Sequence, residues 1–509
     1  MLPIDLLYRG AQQRPGAIAA EDGETALTYR KLDESVAALA SALQRLAPGA
    51  GRYITVCAPN TLEHLVSILA ILAAGHVWVP LNPRNGKAET DAIVAATRPV
   101  LVIADALCLD RFTPSDVRVV LSRSEGVERA ESVAALIAEF WGKRPRPAEP
   151  SPAATQAIKF SSGSTGKPKG VLQSYRSWNA CAAGILDAFQ FVEDECFLAA
   201  APVTHGTSCF ILPILSRGGR IVLLERPKPH DILTAFVRHG VTATYLTPTM
   251  IYTLMADNAA GPVAFPKLRH LIYSGAPMRE QQIWAAQRVF GECVETCYGQ
   301  AEAPQIIAYM RASDLADTAN LAAAGHAGLG TRIGIMDDGG TLLSRGEVGE
   351  IVVRGDLVMS GYLDDPEATA ATIIDGWLHT GDVGLVDEHG LLFIKGRLSE
   401  MIISGGFNIY PGDVESALGK HPAVHECAVF GVDDPKWGEA VHAAVELNSG
   451  HSVGEQELIG HVKMLLDSVK APKRIHIVAQ LPRSAVGKVL RREAKSMVSV
   501  DLADIPRQA

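Results

Sequence analysis

Closely paired cysteines are missing from this sequence. The 509 residues hold eight, scattered along the chain, and the nearest two, Cys293 and Cys297, have three residues between them. That spacing offers neither a disulfide framework nor a CxxC metal site, and it fits a reducing compartment. A long unbroken apolar span is missing too. The longest stretch, Leu65 to Leu81, is interrupted by Ser67, Gly75, His76 and Pro80, so it reads as a core helix running into a strand and not as a membrane span. The first sixteen residues, MLPIDLLYRGAQQRPG, lack the charged-then-apolar pattern of a secretory leader. There is no basic excess either. Lys plus Arg number 47 against 56 Asp plus Glu, a formal net charge of −9, which gives no electrostatic reason to expect nucleic acid or an anionic membrane as partner. These absences point to a soluble cytoplasmic protein with no integral membrane association, its partners small molecules. A homodimer is among the assemblies the sequence leaves open.

The chain does have ample material for a core: 48% of residues are hydrophobic and 20% charged, over a length that suggests two or three domains. In the first half, short β-branched or apolar runs (Tyr53–Cys57, Val100–Ile103, Arg220–Leu224, Thr242–Leu246, Leu268–Tyr273) alternate with stretches of helical spacing (Tyr29–Leu46, Leu62–Ala74, Asp231–His239, Met278–Phe290). That alternation predicts an α/β fold with largely parallel sheets. From about Gly325, short strands such as Arg332–Met336, Glu350–Arg354 and Leu391–Lys395 are punctuated by DDGG and DEHG turns, predicting a smaller antiparallel section. After Gly396-Arg397 the alternation restarts on a smaller scale. The expected organisation is therefore a large α/β N-terminal domain over 1–397, built of parallel-sheet subdomains plus a smaller β section. A small, mobile α+β C-terminal domain follows over 398–509. The Pro-rich segment Lys143 to Pro152 reads as a loop. Between Lys470 and Lys495, eight Lys/Arg face the single Glu493; a solvated helical face is the plainer reading of that run, an anion-facing surface the sharper one.

The segment Phe160 to Gly170, FSSGSTGKPKG, packs four hydroxyls, three glycines and two lysines behind a strand-like run. Hydroxyls and exposed N–H groups donate hydrogen bonds, glycines let the main chain approach a ligand, and lysines neutralise charge, which together suit a polyphosphate cradle. It is not a Walker A loop, because only two residues separate Gly163 from Gly166 and Pro168 follows Lys167. This segment resembles the phosphate loop of the adenylate-forming superfamily: acyl- and aryl-CoA synthetases, peptide-synthetase adenylation domains and beetle luciferases. Further blocks follow in that family's order: PVTHG (202–206), SGAPM (274–278), YGQAE (298–302), GEIVVRG (349–355), GWLHTGD (376–382), GR (396–397), SGGFNIYP (404–411) and PRSAVGK (482–488). Leu27-Thr28-Tyr29 and Val79-Pro80-Leu81-Asn82-Pro83 extend the likeness toward the N-terminus.

The resemblance implies roles for these residues. Ser161, Ser162, Gly163, Ser164, Thr165, Gly166, Lys167 and Lys169 would hold the β- and γ-phosphates of ATP. Lys488 would bridge the substrate carboxylate and the α-phosphate, following charge as it moves. Asp382 would accept from the ribose hydroxyls and Arg397 donate near the ribose or α-phosphate. Tyr298 would offer a face to adenine, Gly275, Ala276 and Pro277 would let the backbone reach the purine edge, and Gly299, Gln300 and Ala301 complete that wall. Glu302 would bind Mg2+, a hard cation suited to bridging carboxylate and phosphate oxygens. His205 would stand at a substrate-side gate. Gly405 and Gly406, with Trp437 in DPKWGE, would receive CoA, and Ser399 would be the hinge about which the small domain turns. Two positions depart from the family: Ala301 where Thr is usual, and Ser399 where Asp or Lys is usual. One lost phosphate contact is worth roughly 1–3 kcal/mol.

The expected reaction is ATP-dependent carboxylate–CoA ligation. Passing acyl-AMP to a carrier protein, oxidising it, or binding nucleotide without catalysis are the alternatives. The resemblance places the acyl pocket among the segment after the phosphate loop, His205–Phe210, Leu246–Met250, Ser274–Met278 and Gly299–Gln305, and apart from His205 the last four hold no basic residue. That absence predicts a fatty or aromatic monocarboxylate, because a buried second carboxylate needs a counter-charge.

Overall fold

A computed structural model describes residues 1–23, 25–112, 117–123, 131–162, 168–258, 264–483 and 489–503. Two large sheets form the first part of the molecule. One has nine strands, in the spatial order 326–327, 308–310, 294–298, 270–273, 243–246, 196–199, 220–223, 18–22 and 25–28. Its central strands are parallel, and antiparallel strands close both ends. The other has seven, in the order 361–362, 168–174, 155–162, 77–81, 53–57, 101–104 and 118–121. The predicted helix-into-strand reading of the long apolar run holds: Leu62–Ala73 is a helix capped by Thr61, and Val77–Leu81 is a wholly buried strand. Side chains from both sheets and their helices share one core, including Leu7, Tyr29, Leu39, Ile54, Trp78, Phe197 and Phe210.

A third, antiparallel sheet holds Thr331–Met336, Gly349–Gly355, Trp377–Val386 and Leu392–Arg397, as the DDGG and DEHG turns predict. A fourth begins at Ile402 and runs through Phe407–Ile409, Val424–Asp434, Gly438–Leu447 and Arg474–Val478, with its own core around Val414, Leu418, Val429, Val441 and Leu458. A single 3₁₀ turn, Leu398–Glu400, joins the third sheet to the fourth. The two parts also touch. Arg279, just past the Gly275–Met278 loop, donates to Glu426 at 3.0 Å and to the His425 carbonyl at 3.2 Å.

One expectation needs correcting. The basic run from Lys470 to Lys495 is not a helical face. It crosses the strand Arg474–Val478 and enters the helix Arg491–Ala503. Several of its cations are paired inside the small domain: Arg474 with Glu455, Arg483 with Glu426 and Glu446, Arg491 with Glu400 and Glu415. Spacing alone hid this because the opposing carboxylates lie far away in sequence.

Candidate active site

The four segments PVTHG, Leu246–Met250, SGAPM and YGQAE leave the carboxyl ends of neighbouring strands in the nine-stranded sheet. At parallel-strand ends the loops diverge and leave a crevice where ligands settle. Gly275 sits there with φ +86° and open space where a side chain would project, so its backbone is exposed to an approaching ligand in a conformation that glycine adopts without strain. Ala276 and Pro277 continue the same loop.

Asp382 is the best-held polar group of the crevice. The residue is 6% exposed, and its carboxylate accepts from the Tyr298 hydroxyl at 2.6 Å and from the Gln300 amide at 2.7 Å, while Arg397 approaches its other oxygen at 3.2 Å. The antiparallel hairpin explains the last contact, because Asp382 and Arg397 are direct cross-strand partners. Gln300 also donates to the Thr380 carbonyl at 3.0 Å. Burial and the Asp382 charge push the Tyr298 hydroxyl far above its usual range, so it remains a donor. The sequence reading gave Tyr298 a ring-face role; in the structure its hydroxyl is committed to Asp382.

A second cluster forms around Glu302. Its carboxylate accepts from the Tyr362 hydroxyl at 2.9 Å, and Lys169 stands 5.0 Å from the centre of the same tyrosine ring. Tyr362 lies on the edge strand Gly361–Tyr362, which pairs with the strand Pro168–Ser174 that carries Lys169. The strand Thr155–Ser162 ends on Ser161 and Ser162, with Ser161 opposite Lys169. Gly163, Ser164, Thr165, Gly166 and Lys167 lie outside the described residues, as does Lys488. Tyr362 was not anticipated; nothing in its local sequence distinguishes it from a core tyrosine. Among the described residues no group of three or more His, Cys, Asp or Glu could hold a metal ion unaided. Glu302 alone fits a Mg2+ whose remaining ligands are phosphate oxygens and water.

Ala301 offers its carbonyl to Gln173 at 2.8 Å, and Gln173 in turn accepts from the Trp178 indole at 3.1 Å. Gly299 stands between this carbonyl and Tyr298 on the same turn. His205 meets the Thr204 hydroxyl at 2.9 Å through Nδ1. Although the residue keeps an exposed edge, burial first and the Lys159 ammonium second hold the imidazole below its usual range. Lys159 lies outside the four segments found free of basic residues other than His205, yet it touches one of them. From the strand Thr155–Ser162 it reaches the His205 carbonyl at 3.1 Å and Ser208 at 2.8 Å.

On the small domain, Gly405, Gly406 and Trp437 come together. Gly405 has φ +59°, its N–H donates to the Trp437 carbonyl at 2.8 Å, and a Cβ there would come within 2.9 Å of the indole. Lys436 and Lys473 stand over that indole at 4.7 and 5.5 Å. Phe407 and Ile403 are exposed beside it. Ser399 lies within the linking 3₁₀ turn.

Comparison with known proteins gives the chain's family. The family model described as AMP-binding enzyme matches residues 7–363, and that of the AMP-binding enzyme C-terminal domain matches 413–488. The chain belongs to the AMP-binding enzyme family. It lies in the acyl- and aryl-CoA synthetase branch of the adenylate-forming superfamily, a branch of ligases. Feruloyl-CoA synthase of an Amycolatopsis species is 34% identical over 96% of this chain and 97% of its own. Medium/long-chain-fatty-acid–CoA ligase FadD8 of Mycobacterium tuberculosis is 31% identical over 92% of this chain and 85% of its own. Among solved structures, the amide bond synthetase McbA of Marinactinospora thermotolerans superposes with a TM-score of 0.89 at 29% identity, covering 97% of this chain and 99% of that one. No helix among the described residues is long and apolar enough to cross a membrane.

Proposed function

We propose that this AMP-binding enzyme is an ATP-dependent carboxylate–CoA ligase working in two half-reactions. In the first, the acid's carboxylate oxygen attacks the α-phosphorus of ATP, giving acyl-AMP and releasing pyrophosphate. In the second, the CoA sulfur attacks the acyl carbon, its proton is lost, and AMP departs. The observation that carries the reading is the Asp382 knot: a buried carboxylate with Tyr298, Gln300 and Arg397 gathered on it, at the mouth of parallel strands. A ribose diol offers two hydroxyl donors to such an acceptor, and Arg397 is free to turn toward phosphate.

In this reading Ser161 to Lys169 hold the β- and γ-phosphates, and Glu302, steadied by Tyr362, takes Mg2+. When bound, that ion would supply charge neutralisation on the triphosphate. Lys488 bridges carboxylate and α-phosphate. Gly275, Ala276, Pro277, Gly299 and Ala301 line the nucleotide, and His205 gates the acid. Gly405, Gly406 and Trp437 receive the pantetheine arm, with Lys436 and Lys473 beside them for the CoA phosphates. We place the domain boundary at 397/398 and the hinge at Ser399. The body of the acid is apolar, a chain or a ring, in keeping with the fatty and aromatic acids in the relatives' names.

The test is mass spectrometry of products from purified protein with Mg-ATP, CoA and a pooled acid panel. Acyl-CoA formed with one AMP per thioester is the expected result. AMP or acyl-AMP without thioester would overturn the CoA assignment in favour of a carrier protein or an amine. ATP binding without any turnover would leave a nucleotide-binding protein.

Two variants probe the parts separately. Gly405→Val forces a branched residue into a left-handed conformation, costing about 1–2 kcal/mol, and drives its side chain onto Trp437. Thioester formation from supplied acyl-AMP should fall about tenfold or more while acyl-AMP formation falls less. A uniform fall in both would remove Gly405 from the CoA path. Ala301→Thr restores the hydroxyl usual in the family, and the rate of ATP–pyrophosphate exchange should hold or rise. Its collapse would mean that the site around the Gln173–Ala301 contact has been rebuilt for alanine.

A further inference from the structure

Arg279 follows the SGAPM loop directly and stands at the head of the helix Glu280–Phe290. Its backbone belongs to the large domain, but the acceptors of its guanidinium do not. It donates to Glu426 at 3.0 Å, to the His425 carbonyl at 3.2 Å and to Cys427 Sγ at 3.3 Å, all on the small-domain strand Val424–Asp434. Gly419, at the end of the helix Pro411–Gly419, completes the seat: a Cβ there would come within 2.6 Å of the Arg279 Nε. The side chains of Arg279 and Glu426 are 21% and 22% exposed. The pair is therefore shielded from much of the screening that leaves surface ion pairs with little worth.

Glu426 is also held from within its own domain. Arg483 lies 3.7 Å from it and 3.4 Å from Glu446. Glu426 and Glu446 are direct cross-strand partners, and like charges placed opposite each other repel. His425, 3.9 Å from Glu446, adds a charge only when protonated. Arg483 thus faces two carboxylates, and Arg279 brings a second permanent positive charge from the other domain. Arg483 also forms the antiparallel bridge with Val489, at the root of the segment that carries Lys488. A chain of charged contacts runs from the loop that the ligase reading gives to adenine, through Arg279, Glu426 and Arg483, to that root.

The same strand shows which end of the small domain is docked. Glu426 lies near its start, and Asp434, at its other end, is roughly 25 Å away at the usual rise per residue. Asp434 pairs with Gly438, next to Trp437 and the Gly405 turn, and there Ile403, Phe407 and Trp437 are exposed to solvent. The docked end is the one that roots Lys488; the end proposed for CoA lies at the opposite end of the strand.

We propose that Arg279 is a positioning residue for acyl-AMP formation. By docking on Glu426 it holds the small domain in the orientation that turns the Lys488 segment toward the nucleotide, and the pair parts when the Gly405–Trp437 end takes its place for thioester formation. Arg279 itself touches neither acid nor phosphate in this scheme. This rests on the ligase reading above and deepens it. An enzyme that visits two orientations in each cycle keeps their populations comparable, so a contact worth a factor of ten in docking shows almost in full in the rate.

The test measures each half-reaction in single turnovers, with an acid that the natural enzyme activates: acyl-AMP formation from acid and Mg-ATP, and thioester formation from supplied acyl-AMP and CoA. The natural enzyme is compared with R279Q, R279K, E426Q and the double variant R279Q/E426Q. R279Q and E426Q should each slow acyl-AMP formation about tenfold, the worth of a hydrogen bond between charged groups, while thioester formation holds or rises. R279K should keep part of the first rate. The double variant should be no slower than the slower single, because both residues act through one contact. G419A probes the seat from the other side: its methyl displaces the guanidinium without removing charge, so the ratio of the two rates should move the same way, and it reports even where R279Q fails to fold. Without any substrate, trypsin should cut after Arg397, at the linking turn, faster in R279Q and E426Q than in the natural protein. An unchanged ratio of the two rates, losses that add in the double variant, or unchanged cleavage overturns the proposal and leaves the ligase reading standing. A natural enzyme that forms no acyl-AMP from any acid of the pooled panel overturns the ligase reading and this role with it.

Discussion

Asp382→Ala is expected to weaken ATP binding and acyl-AMP formation together, by roughly 10²- to 10³-fold. Two hydroxyl bonds to a carboxylate are worth about 1.5–3 kcal/mol each, less what the ribose recovers from water. The structure adds a second cost. Tyr298 and Gln300 both aim their donors at this carboxylate, and Arg397 balances its charge. With alanine in place, two buried donors and one cation lose their acceptor, and leaving such groups unsatisfied costs more than the bond itself contributed. Asp382→Asn separates the effects. The amide oxygen can still accept from Tyr298, while its NH2 faces Gln300 or Arg397, so a smaller loss is expected with a folded site. Titration calorimetry with ATP and pyrophosphate exchange measure the two quantities. An alanine variant with normal ATP affinity would remove Asp382 from the nucleotide site and return the knot to a structural role. The Tyr298 hydroxyl does not titrate near neutrality, because burial and Asp382 both favour its protonated form; alkaline loss of activity below the ordinary tyrosine range would therefore come from another group.

How much of this was legible beforehand differs by residue. The strand–helix alternation and the turn residues announced largely parallel sheets and an antiparallel section, because those signals are local and repeat over many residues. The gathering of PVTHG, SGAPM and YGQAE at one sheet end follows from the same alternation: each block directly succeeds a parallel strand. Pairings across long separations were not legible. Tyr362 meets Glu302 sixty residues away, and Arg279 meets Glu426 across 147; neither carries a local pattern. The basic run after Lys470 was misjudged for the same reason, since its carboxylate partners lie on other elements, Glu415 and Glu455 on helices and Glu426 and Glu446 on strands.

Lys488→Ala carries the largest expected change in one half-reaction with the least in the other. Lys488 lies outside the described residues, yet the chain on either side of it is well anchored. Arg483 forms an antiparallel bridge with Val489 and pairs with Glu426 and Glu446, while Arg491 pairs with Glu400 and Glu415. Removing one ammonium from a segment tied at both ends should leave the small domain folded. In the proposed mechanism the same ammonium must neutralise the attacking carboxylate and the α-phosphate as charge passes between them, and between Arg483 and Val489 the sequence holds no other charged residue. Loss of one such preorganised donor is worth roughly 10²–10³ in rate, so acyl-AMP formation should fall by at least that factor. Thioester formation from supplied acyl-AMP and CoA needs no such bridge and should be spared. Lys488→Arg should recover part of the first step, because the planar guanidinium keeps the charge but cannot act as a compact point donor. Single-turnover assays of each half-reaction decide the matter. Equal loss in both would mean that the variant disturbs the domain or that the bridging cation comes from elsewhere, and the two are told apart by thermal unfolding of the variant.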